Sequence, residues 1–557
     1  MLARWLVAVS VAVSCLTAFS AAGEWPQFRG PNSDGLTAES AIPTEWGLDK
    51  NVQWKVKIPG VAWSSPIVWG DRVFVTTAIT GNQKKPPAGG GFGGGGPGGF
   101  IGFAGFPQPG QVLSPFLQDQ LKLTAEQKKQ LEEFQEEIDG KVEKILTDEQ
   151  KKQVKGMREG IGRGGPSGFG GPGRGGPGGF GGGKPPDVVY RWEVYCLDRP
   201  TGKVLWKKLA LEGKPRIPTQ SSNTYATETP VADGERVYAY FGMHGLFCYD
   251  FAGNLVWKKD FGAFPAQMGF GTASSPVLDG DRLFLQIDNE EKSFLVALDK
   301  KTGDELWRVS RTEKTNWGSP VIWKNKQRTE LVTPGSQKVR SYDPANGKVL
   351  WELSVGGQSN ASPVGDSDLL YVGCEARMGG GGFGGGEFGG QGPGEGRGGF
   401  GGGPGGAGGG LYAVRAGASG DLTLKKDETA NAGVAWSQAK GGPEKASPLV
   451  YQGHVYILRQ SGGIITCYDA KTGKQLYRER IPNAKSFWAS PWAGDGKIFC
   501  LDDGGTTHVL KAGPEFKVLG KNSLDEMFWA SPAVAGGATI LRSVDHLYCI
   551  KTREGDK

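Results

Sequence analysis

One phrase of sequence recurs eight times along the chain and constrains the fold more than any other feature. Each copy opens with Ser or Thr followed by Pro, continues into an apolar run, and passes through a Gly/Asp turn into an alternating apolar strand. Where nothing intervenes, the copies are about forty to fifty residues apart, the length of a four-stranded propeller blade. The openings end at Pro66, Pro230, Pro276, Pro320, Pro363, Pro448, Pro491 and Pro532.

The second half of each phrase predicts a tight hairpin. A third strand runs into Asp-x-x-(Thr/Asn)-Gly and the fourth strand ends in an aromatic residue, as in Leu298 to Trp307. Gly permits a positive φ at this turn, and Asp can accept hydrogen bonds from the backbone that follows it. We expect the aromatic residue to pack against a neighbouring blade. Its counterparts are Trp206, Trp257, Trp351 and Tyr477.

The last copy lacks a fourth strand, which the N-terminal segment can supply. It stops after its third strand, His546 to Lys551, while Asn51 to Lys57 carries a fourth strand with Trp54 in the expected place. Pairing of the two would protect sheet edges that otherwise template aggregation. The sequence therefore predicts an all-β fold: an eight-bladed β-propeller over residues 23–551, closed by the N-terminal strand, with an inserted α-helical hairpin and Gly-rich loops.

The repeat resembles that of the PQQ-like (pyrroloquinoline-quinone-type) propeller family. The family motif Ala-x-Asp-x-x-Thr-Gly-x-x-x-Trp matches Ala297 to Trp307, and the opening Trp25 to Pro31 is similar to the start of such chains. The resemblance covers most of residues 24–551 and is greatest to exported bacterial members, including the propeller lipoprotein of the outer-membrane β-barrel assembly machinery. It implies the fold, but one fold hosts many functions.

Residues 1–22 have the pattern of a cleavable secretory signal, because Arg4 precedes an apolar run from Trp5 to Phe19 and small residues follow. The run is shorter than the roughly 20 residues that a membrane-spanning helix needs. We therefore expect an exported protein, periplasmic or in the cell envelope, with no transmembrane segment in the mature chain. The net charge of +6 is modest for 557 residues, which disfavours a nucleic-acid partner.

The cysteines and histidines show no pattern of a disulfide framework or a metal site. Four cysteines occupy the same third-strand position in different blades, too far apart for a disulfide, and we expect them to be buried core residues: Cys196, Cys248, Cys467 and Cys549. Cys374 and Cys500 are second-strand residues. The four histidines lack metal-ligand spacing, and we expect each to be a turn or surface residue: His244, His454, His508 and His546.

Two Gly-rich insertions interrupt the same hairpin in opposite blades. Residues 83–188 lie between strands two and three of blade one, and residues 376–410 lie between strands two and three of blade five. Their Gly-rich tracts bury too little apolar surface to offset the entropy of ordering, so we expect flexible arms. Both arms fall on the face that carries the connections between blades, a face suited to a ligand or partner. The alternative is tolerated insertion at exposed turns.

The first insertion also contains a predicted helical hairpin, at about residues 114–157. Apolar residues recur at three and four residues from Leu131 to Ile145, a helical stripe. The doubled Leu-Thr-x-x-Gln (LTxxQ-like) motif resembles that of small periplasmic stress proteins, and such a hairpin either docks on a partner or folds back on the propeller. Two pairs fit capping boxes that would start the helices: Thr124 with Gln127, and Thr147 with Gln150.

Aromatic residues stand just before the Ser–Pro step in several connections between blades. A planar ligand could stack on them at the channel mouth, with Glu228 and Asn316 as cation ligands. The alternative is that the aromatic residues only pack between blades, as repeated aromatics in repeat folds usually do. The candidate cofactor-binding or ligand-binding residues are Trp63, Glu228, Asn316, Trp317, Trp488 and Trp529.

For the function we expect a non-catalytic extracytoplasmic scaffold that binds envelope proteins or another ligand through its loop-bearing face, without a cofactor, a metal or a catalytic residue. The main alternative is a PQQ-dependent quinoprotein dehydrogenase of alcohols or sugars, with PQQ and calcium bound over the channel mouth. Family enzymes often carry an adjacent Cys–Cys ring, and no two cysteines here are adjacent. A third interpretation is a structural cell-surface protein with the arms as spacers.

Overall fold

The computed structural model describes residues 23–39, 42–81, 112, 123–148, 184–220, 223–375 and 409–552. The chain divides into two compact units, residues 1–91 with 181–557, and residues 92–180. The described residues of the first unit form eight sheets, seven of four strands and one with a fifth strand added. The predicted all-β, eight-bladed propeller is therefore confirmed.

Each sheet is one blade, and its antiparallel strands follow in the predicted order. Blade one contains Ile67–Trp69, Arg72–Thr80, Tyr190–Asp198 and Val204–Gly213. Blade two contains Val231–Ala232, Arg236–Tyr240, Leu246–Asp250 and Leu255–Lys259. Blade three contains Val277–Asp279, Arg282–Ile287, Phe294–Asp299 and Glu305–Ser310. Blade four contains Val321–Lys324, Thr329–Thr333, Lys338–Tyr342 and Val349–Ser354, with Gly420–Asp421 added in parallel at its outer edge.

The second half of the ring repeats this order. Blade five contains Val364–Gly365, Leu369–Gly373, Leu411–Arg415 and Val434–Gln438. Blade six contains Leu449–Tyr451, His454–Leu458, Ile464–Asp469 and Gln475–Arg480. Blade seven contains Trp492–Gly494, Lys497–Leu501, Thr506–Lys511 and Val518–Ser523. Blade eight contains Ala533–Ala535, Ala538–Arg542, His546–Lys551 and, as its fourth strand, Val52–Lys57.

The two ends of the propeller pair as predicted. Val52–Lys57 runs antiparallel to His546–Lys551. The indole N–H of Trp54 then donates to the carbonyl oxygen of Arg199 in blade one, at 2.7 Å. The N-terminal strand thus completes blade eight and joins it to blade one.

The Ser or Thr that opens each phrase links neighbouring blades through what we call the Ser/Thr ring. The backbone N–H of each residue donates to the hydroxyl of its equivalent in the next blade, and this contact repeats over seven successive steps at 2.9 to 3.1 Å. First strands of neighbouring blades also contact each other, so they line the central channel. The members of the Ser/Thr ring are Ser65, Thr229, Ser275, Ser319, Ser362, Ser447, Ser490 and Ser531.

A fourth-strand tryptophan packs against the next blade, where it contacts the glycine in the turn between the third and fourth strands. The indole N–H of Trp257 donates to the carbonyl oxygen of Lys300 at 3.2 Å. Gly303 in the same turn has a φ of 78°, and a Cβ there would lie 2.8 Å from the Trp257 ring. Only glycine suits both the backbone and the contact. Equivalent indole hydrogen bonds to the next blade are made by Trp54, Trp206, Trp307 and Trp436.

The six cysteines in the described part of the chain are free and buried, as was predicted for the four in third strands. The prediction for the histidines is wrong for His508, which lies in the third strand of blade seven and is 1% exposed. Its Nε2 atom is 3.1 Å from Asp502 Oδ2, and this partner explains how a histidine can be buried there.

Residues 23–39 cross one end of the channel. Trp25 forms an antiparallel bridge with Val68 in the first strand of blade one. Glu39 accepts a hydrogen bond of 2.6 Å from the backbone N–H of Gly536, in the turn between the first and second strands of blade eight. Such turns lie opposite the connections between blades. The N-terminal segment therefore covers the far face, and we call the other side the loop-bearing face.

The second unit contains the helix Ala125–Ile145, which begins as predicted. Thr124 Oγ1 accepts from the backbone N–H of Gln127, whose side chain accepts from the backbone N–H of Thr124, a complete capping box. The predicted second helix, the Gly-rich tracts and residues 1–22 lie outside the described residues. Within the part of the chain that the structure describes, no helix combines the length and the apolar character needed to span a membrane.

Candidate functional site

The predicted site residues fall into two groups on the loop-bearing face. Trp63, Trp488 and Trp529 come together from the connections that enter blades one, seven and eight. The centroid of the Trp529 ring is 4.1 Å from that of Trp488 and 4.5 Å from that of Trp63, and both pairs are stacked. Val61 and Val544 pack in the same cluster. These rings therefore stack on one another between blades.

The other three predicted residues surround a cleft lined by blades two and three and by the connection that enters blade four. Asn316 lines the cleft, together with Tyr240, Thr272, Ser274, Gln286 and Asp288 among others. The volume of the cleft is about 30 Å³. One water molecule needs about 10–15 Å³ by this measure, so the cleft admits a group the size of two or three waters rather than a fused aromatic ring.

Glu228 lies behind the wall of this cleft and is 2% exposed. Its Oε1 atom accepts a hydrogen bond of 2.5 Å from Thr272 Oγ1. Gly242 makes room for the carboxyl group, because a Cβ there would lie 3.0 Å from Oε1. Burial raises the pKa of Glu228 to about 7, and the bonds from Thr272 and the backbone offset this only in part. No charged neighbour contributes to the shift.

A fully buried ion pair lies beside the cleft. Arg311 donates from Nε to Asp288 Oδ1 at 2.8 Å and from Nη2 to Asp288 Oδ2 at 3.0 Å. The other guanidinium N–H groups reach Thr333 Oγ1, Tyr342 Oη and the carbonyl oxygen of Pro334. Every donor of Arg311 has an acceptor and the two charges cancel, so the pair adds no net charge to the cleft.

Gln286 presents an unused acceptor to the cleft. Its Nε2 atom donates to Asp288 Oδ2 and to the carbonyl oxygen of Pro334, both at 2.8 Å, and two acceptors fix the orientation of the amide. Its Oε1 atom is buried and has no partner among the residues that the structure describes, and the same is true of Ser274 Oγ. These residues are 2% and 8% exposed, so leaving their polar atoms without a partner is costly.

Asn316 and Trp317 are held by the connections around them. Asn316 Nδ2 donates to the carbonyl oxygen of Ser359 at 2.8 Å, and its Oδ1 accepts from the backbone N–H of Gly318 at 2.9 Å. The indole N–H of Trp317 donates to the carbonyl oxygen of Gly271 at 2.8 Å. Among the described residues, no group of three or more His, Cys, Asp or Glu side chains could hold a metal ion. These contacts do not test whether Glu228 and Asn316 bind a cation, so that site stays a prediction.

Sequence reasoning missed Thr272, Ser274, Gln286, Asp288 and Arg311. The available signal was position, because these residues stand at the end of a second strand or in a connection between blades, the segments that form this face. Their residue types alone gave no sign that two acceptors would lack donors.

The fold and the cleft define the class of this protein: an eight-bladed β-propeller with a polar cleft on its loop-bearing face. The model of the family described as outer membrane protein assembly factor BamB matches residues 191–372 and 384–495, more than half of the chain. The chain belongs to this family of PQQ-like propellers, as the repeat motif predicted.

Solved structures match the chain at low sequence identity and with TM-scores below 0.5. BamB from Moraxella catarrhalis is 11% identical with a TM-score of 0.44, and the match covers 66% of this chain and 90% of that chain. A europium-containing methanol dehydrogenase is 10% identical with a TM-score of 0.49, over 94% and 90%. The quinohemoprotein alcohol dehydrogenase from Comamonas testosteroni is 11% identical with a TM-score of 0.41, over 67% and 74%. No curated protein sequence matches the chain.

Proposed function

We propose that this protein is a non-catalytic extracytoplasmic scaffold that binds envelope proteins through its loop-bearing face. The observation that carries the proposal is the course of residues 23–39, which cover the far face, with Glu39 bound in a turn of blade eight. A partner then has the loop-bearing face on which to bind. The family description, an outer membrane assembly factor, supports a role in the envelope, as does the secretory pattern of residues 1–22.

The positions of the two insertions support the same face. Arg72–Thr80 and Tyr190–Asp198 are paired neighbours in blade one, and Leu369–Gly373 and Leu411–Arg415 are paired neighbours in blade five. In both blades the chain leaves and re-enters at the loop-bearing face. The attachment points of the two insertions therefore lie in opposite blades on one face, which suits a surface that binds a partner.

Site-specific photo-crosslinking in intact envelopes tests the proposal. A photoreactive amino acid replaces Lys314 or Lys485, which are exposed on connections of the loop-bearing face, and in matched controls replaces Glu235 or Asp281, exposed in turns of the far face. We expect adducts with envelope proteins from the first two positions alone. Equal adducts from both faces, or adducts from the far face only, would overturn the proposal.

A titration with PQQ and calcium tests the enzymatic alternative on the same protein. Tryptophan fluorescence reports binding, and alcohol- or sugar-dependent dye reduction reports turnover. We expect neither saturable quenching nor turnover. Saturable quenching with turnover would replace the scaffold by a quinone-dependent dehydrogenase.

A further inference from the structure

We propose that the cleft lined by Gln286, Ser274 and Thr272 binds the ammonium group of a lysine side chain on a partner polypeptide. The inference rests on the proposed function, because it names the group that a protein bound to the loop-bearing face would insert. Three properties of the cleft carry it: its unused acceptors, its charge and its size.

The hydrogen-bonding groups that line the cleft favour a ligand that donates hydrogen bonds. Most side-chain donors there are committed to protein acceptors, whereas Gln286 Oε1 and Ser274 Oγ are buried without a partner among the described residues. A phosphate or carboxylate brings only acceptors, so it could use the hydroxyl groups of Ser274 and Tyr240 and the second N–H of Asn316 but would leave Gln286 Oε1 without a donor. An ammonium group brings three donors. The committed side-chain donors are Thr272, Gln286, Asn289, Thr315 and Asn316.

The charge of the cleft favours a cation. Asp288 and Arg311 neutralise each other within the protein, and beyond them Arg216 is paired with Asp260. The carboxyl group of Glu228 has no such cationic neighbour. A lysine ammonium placed in the cleft would supply the missing positive charge in a poorly solvated place, where an ion pair is stronger than in water.

The size of the cleft favours an ammonium group over larger cations. A volume of about 30 Å³ holds two or three water-sized groups, and an ammonium group is of that size. A planar guanidinium with its five N–H donors needs more room and more acceptors than the two that are free. The flexible stem of lysine can extend out of the cleft to the backbone of the partner.

Binding should therefore depend on pH through Glu228. Burial raises the pKa of this group to about 7, so it is largely protonated below that pH. A nearby cation favours the ionised form, and the affinity for an ammonium ligand falls as the pH drops below about 7. Two other titratable groups line the cleft. Burial raises the pKa of Asp288, although Arg311 opposes the shift, and burial raises the pKa of Tyr240, which stays neutral. The Glu228→Gln variant separates the contribution of Glu228 from theirs.

Saturation-transfer NMR with the full-length protein tests the inference, using Nα-acetyl-lysine methylamide as the probe. Between pH 8 and pH 5 we expect the affinity to fall by about tenfold in all, with most of the change below pH 7. Glu228→Gln should lower the affinity at pH 8 by about tenfold and remove the pH dependence. Ser274→Ala should weaken binding at every pH without removing the pH dependence, and Glu526→Gln, in the connection that enters blade eight, is the matched control that should leave the affinity unchanged.

Two results would overturn the inference. One is equal binding of the probe whose side chain is Nε-acetylated, because the cleft would then accept neutral amides. The other is an absence of binding by the lysine probe to a protein whose thermal unfolding shows that it is folded. Crosslinking from Lys485, in the connection that enters blade seven, does not depend on this cleft, so a failure of this inference can be distinguished from a failure of the proposed function.

Discussion

Some glycines in this propeller are required both by the backbone conformation and by a close contact with the neighbouring blade. Gly303 has a φ of 78°, which costs another residue about 1–2 kcal/mol, and a Cβ there would lie 2.8 Å from the Trp257 ring. Gly280 in the same blade has a φ of 57° and open space around it. We predict that Gly303→Ala lowers the free energy of unfolding by about 2–4 kcal/mol and Gly280→Ala by about 1–2 kcal/mol. Equal losses in urea unfolding would show that the Trp257 contact adds nothing.

Buried carboxyl groups give the protein two opposite responses to pH. The pKa of Glu228 rises from 4.5 to about 7 on folding, so the folded state binds more protons in that window and stability is lost as the pH rises through it. Glu228→Gln keeps an acceptor for Thr272 and removes this loss. We predict that the variant exceeds the wild type at pH 8 by up to about 3 kcal/mol and equals it at pH 4, in urea unfolding over this range.

Glu526 provides the control of opposite sign. Burial works against its charge, but hydrogen bonds from Lys55, Ser543 and Tyr548 outweigh burial and lower its pKa to about 2. The stability it contributes is present above pH 4.5 and is lost as the pH falls toward 2. Glu526→Gln should therefore be less stable than the wild type at pH 7. A Glu228→Gln variant that behaved in the same way would contradict the sign assigned to Glu228.

The hydrogen bonds of the Ser/Thr ring join neighbouring blades. Ser275 Oγ accepts from the backbone N–H of Thr229 at 3.0 Å in a buried place. Ser275→Ala leaves that N–H without an acceptor, and we predict a loss of about 1–3 kcal/mol in the free energy of unfolding. Ser275→Thr keeps the hydroxyl, as Thr229 does in blade two, and should lose much less. Equal losses for the two variants would mean that the hydroxyl is not what joins the blades.

The sequence predicted the elements better than the contacts between them. Hairpins join residues close in the chain, so local pattern was enough to place strands and turns. Trp351 makes a contact that the pattern did not predict. Its indole N–H donates to Glu330 Oε2 in its own blade at 2.7 Å, and the corresponding turn of blade five lacks the Asp-x-x-Thr-Gly pattern. The cleft was not predictable from local pattern either, since Gln286 depends on the carbonyl oxygen of Pro334, 48 residues away.

The closed propeller depends on the pairing of its N-terminal strand with blade eight. We predict that deletion of residues 23–57 exposes the edge of His546–Lys551 and causes self-association, measured by light scattering. A permuted chain in which residues 23–57 follow residue 552 restores the pairing and should restore the size of the unaltered protein. If the permuted chain also self-associates, then the order of the segments, and not the unpaired edge of His546–Lys551, causes the self-association.

The coverage of the far face was not predictable from pattern. The motif from Trp25 to Pro31 was recognised as an opening, but its position depends on contacts across the molecule. Arg29 Nη2 donates to the carbonyl oxygen of Pro448 at 2.7 Å, over a separation of 419 residues. Such a contact produces no periodic pattern in either segment, whereas the eightfold repeat is visible in the sequence of every blade.

The N-terminal segment also sets the order in which the molecule can form. Residues 23–57 are made before any blade, yet Glu39 and Val52–Lys57 find their partners in blade eight, which is made last. Their docking closes a loop of nearly the full chain, a slow kind of step that leaves intermediates open to aggregation. The strand that completes the propeller is thus synthesised before the strand with which it pairs.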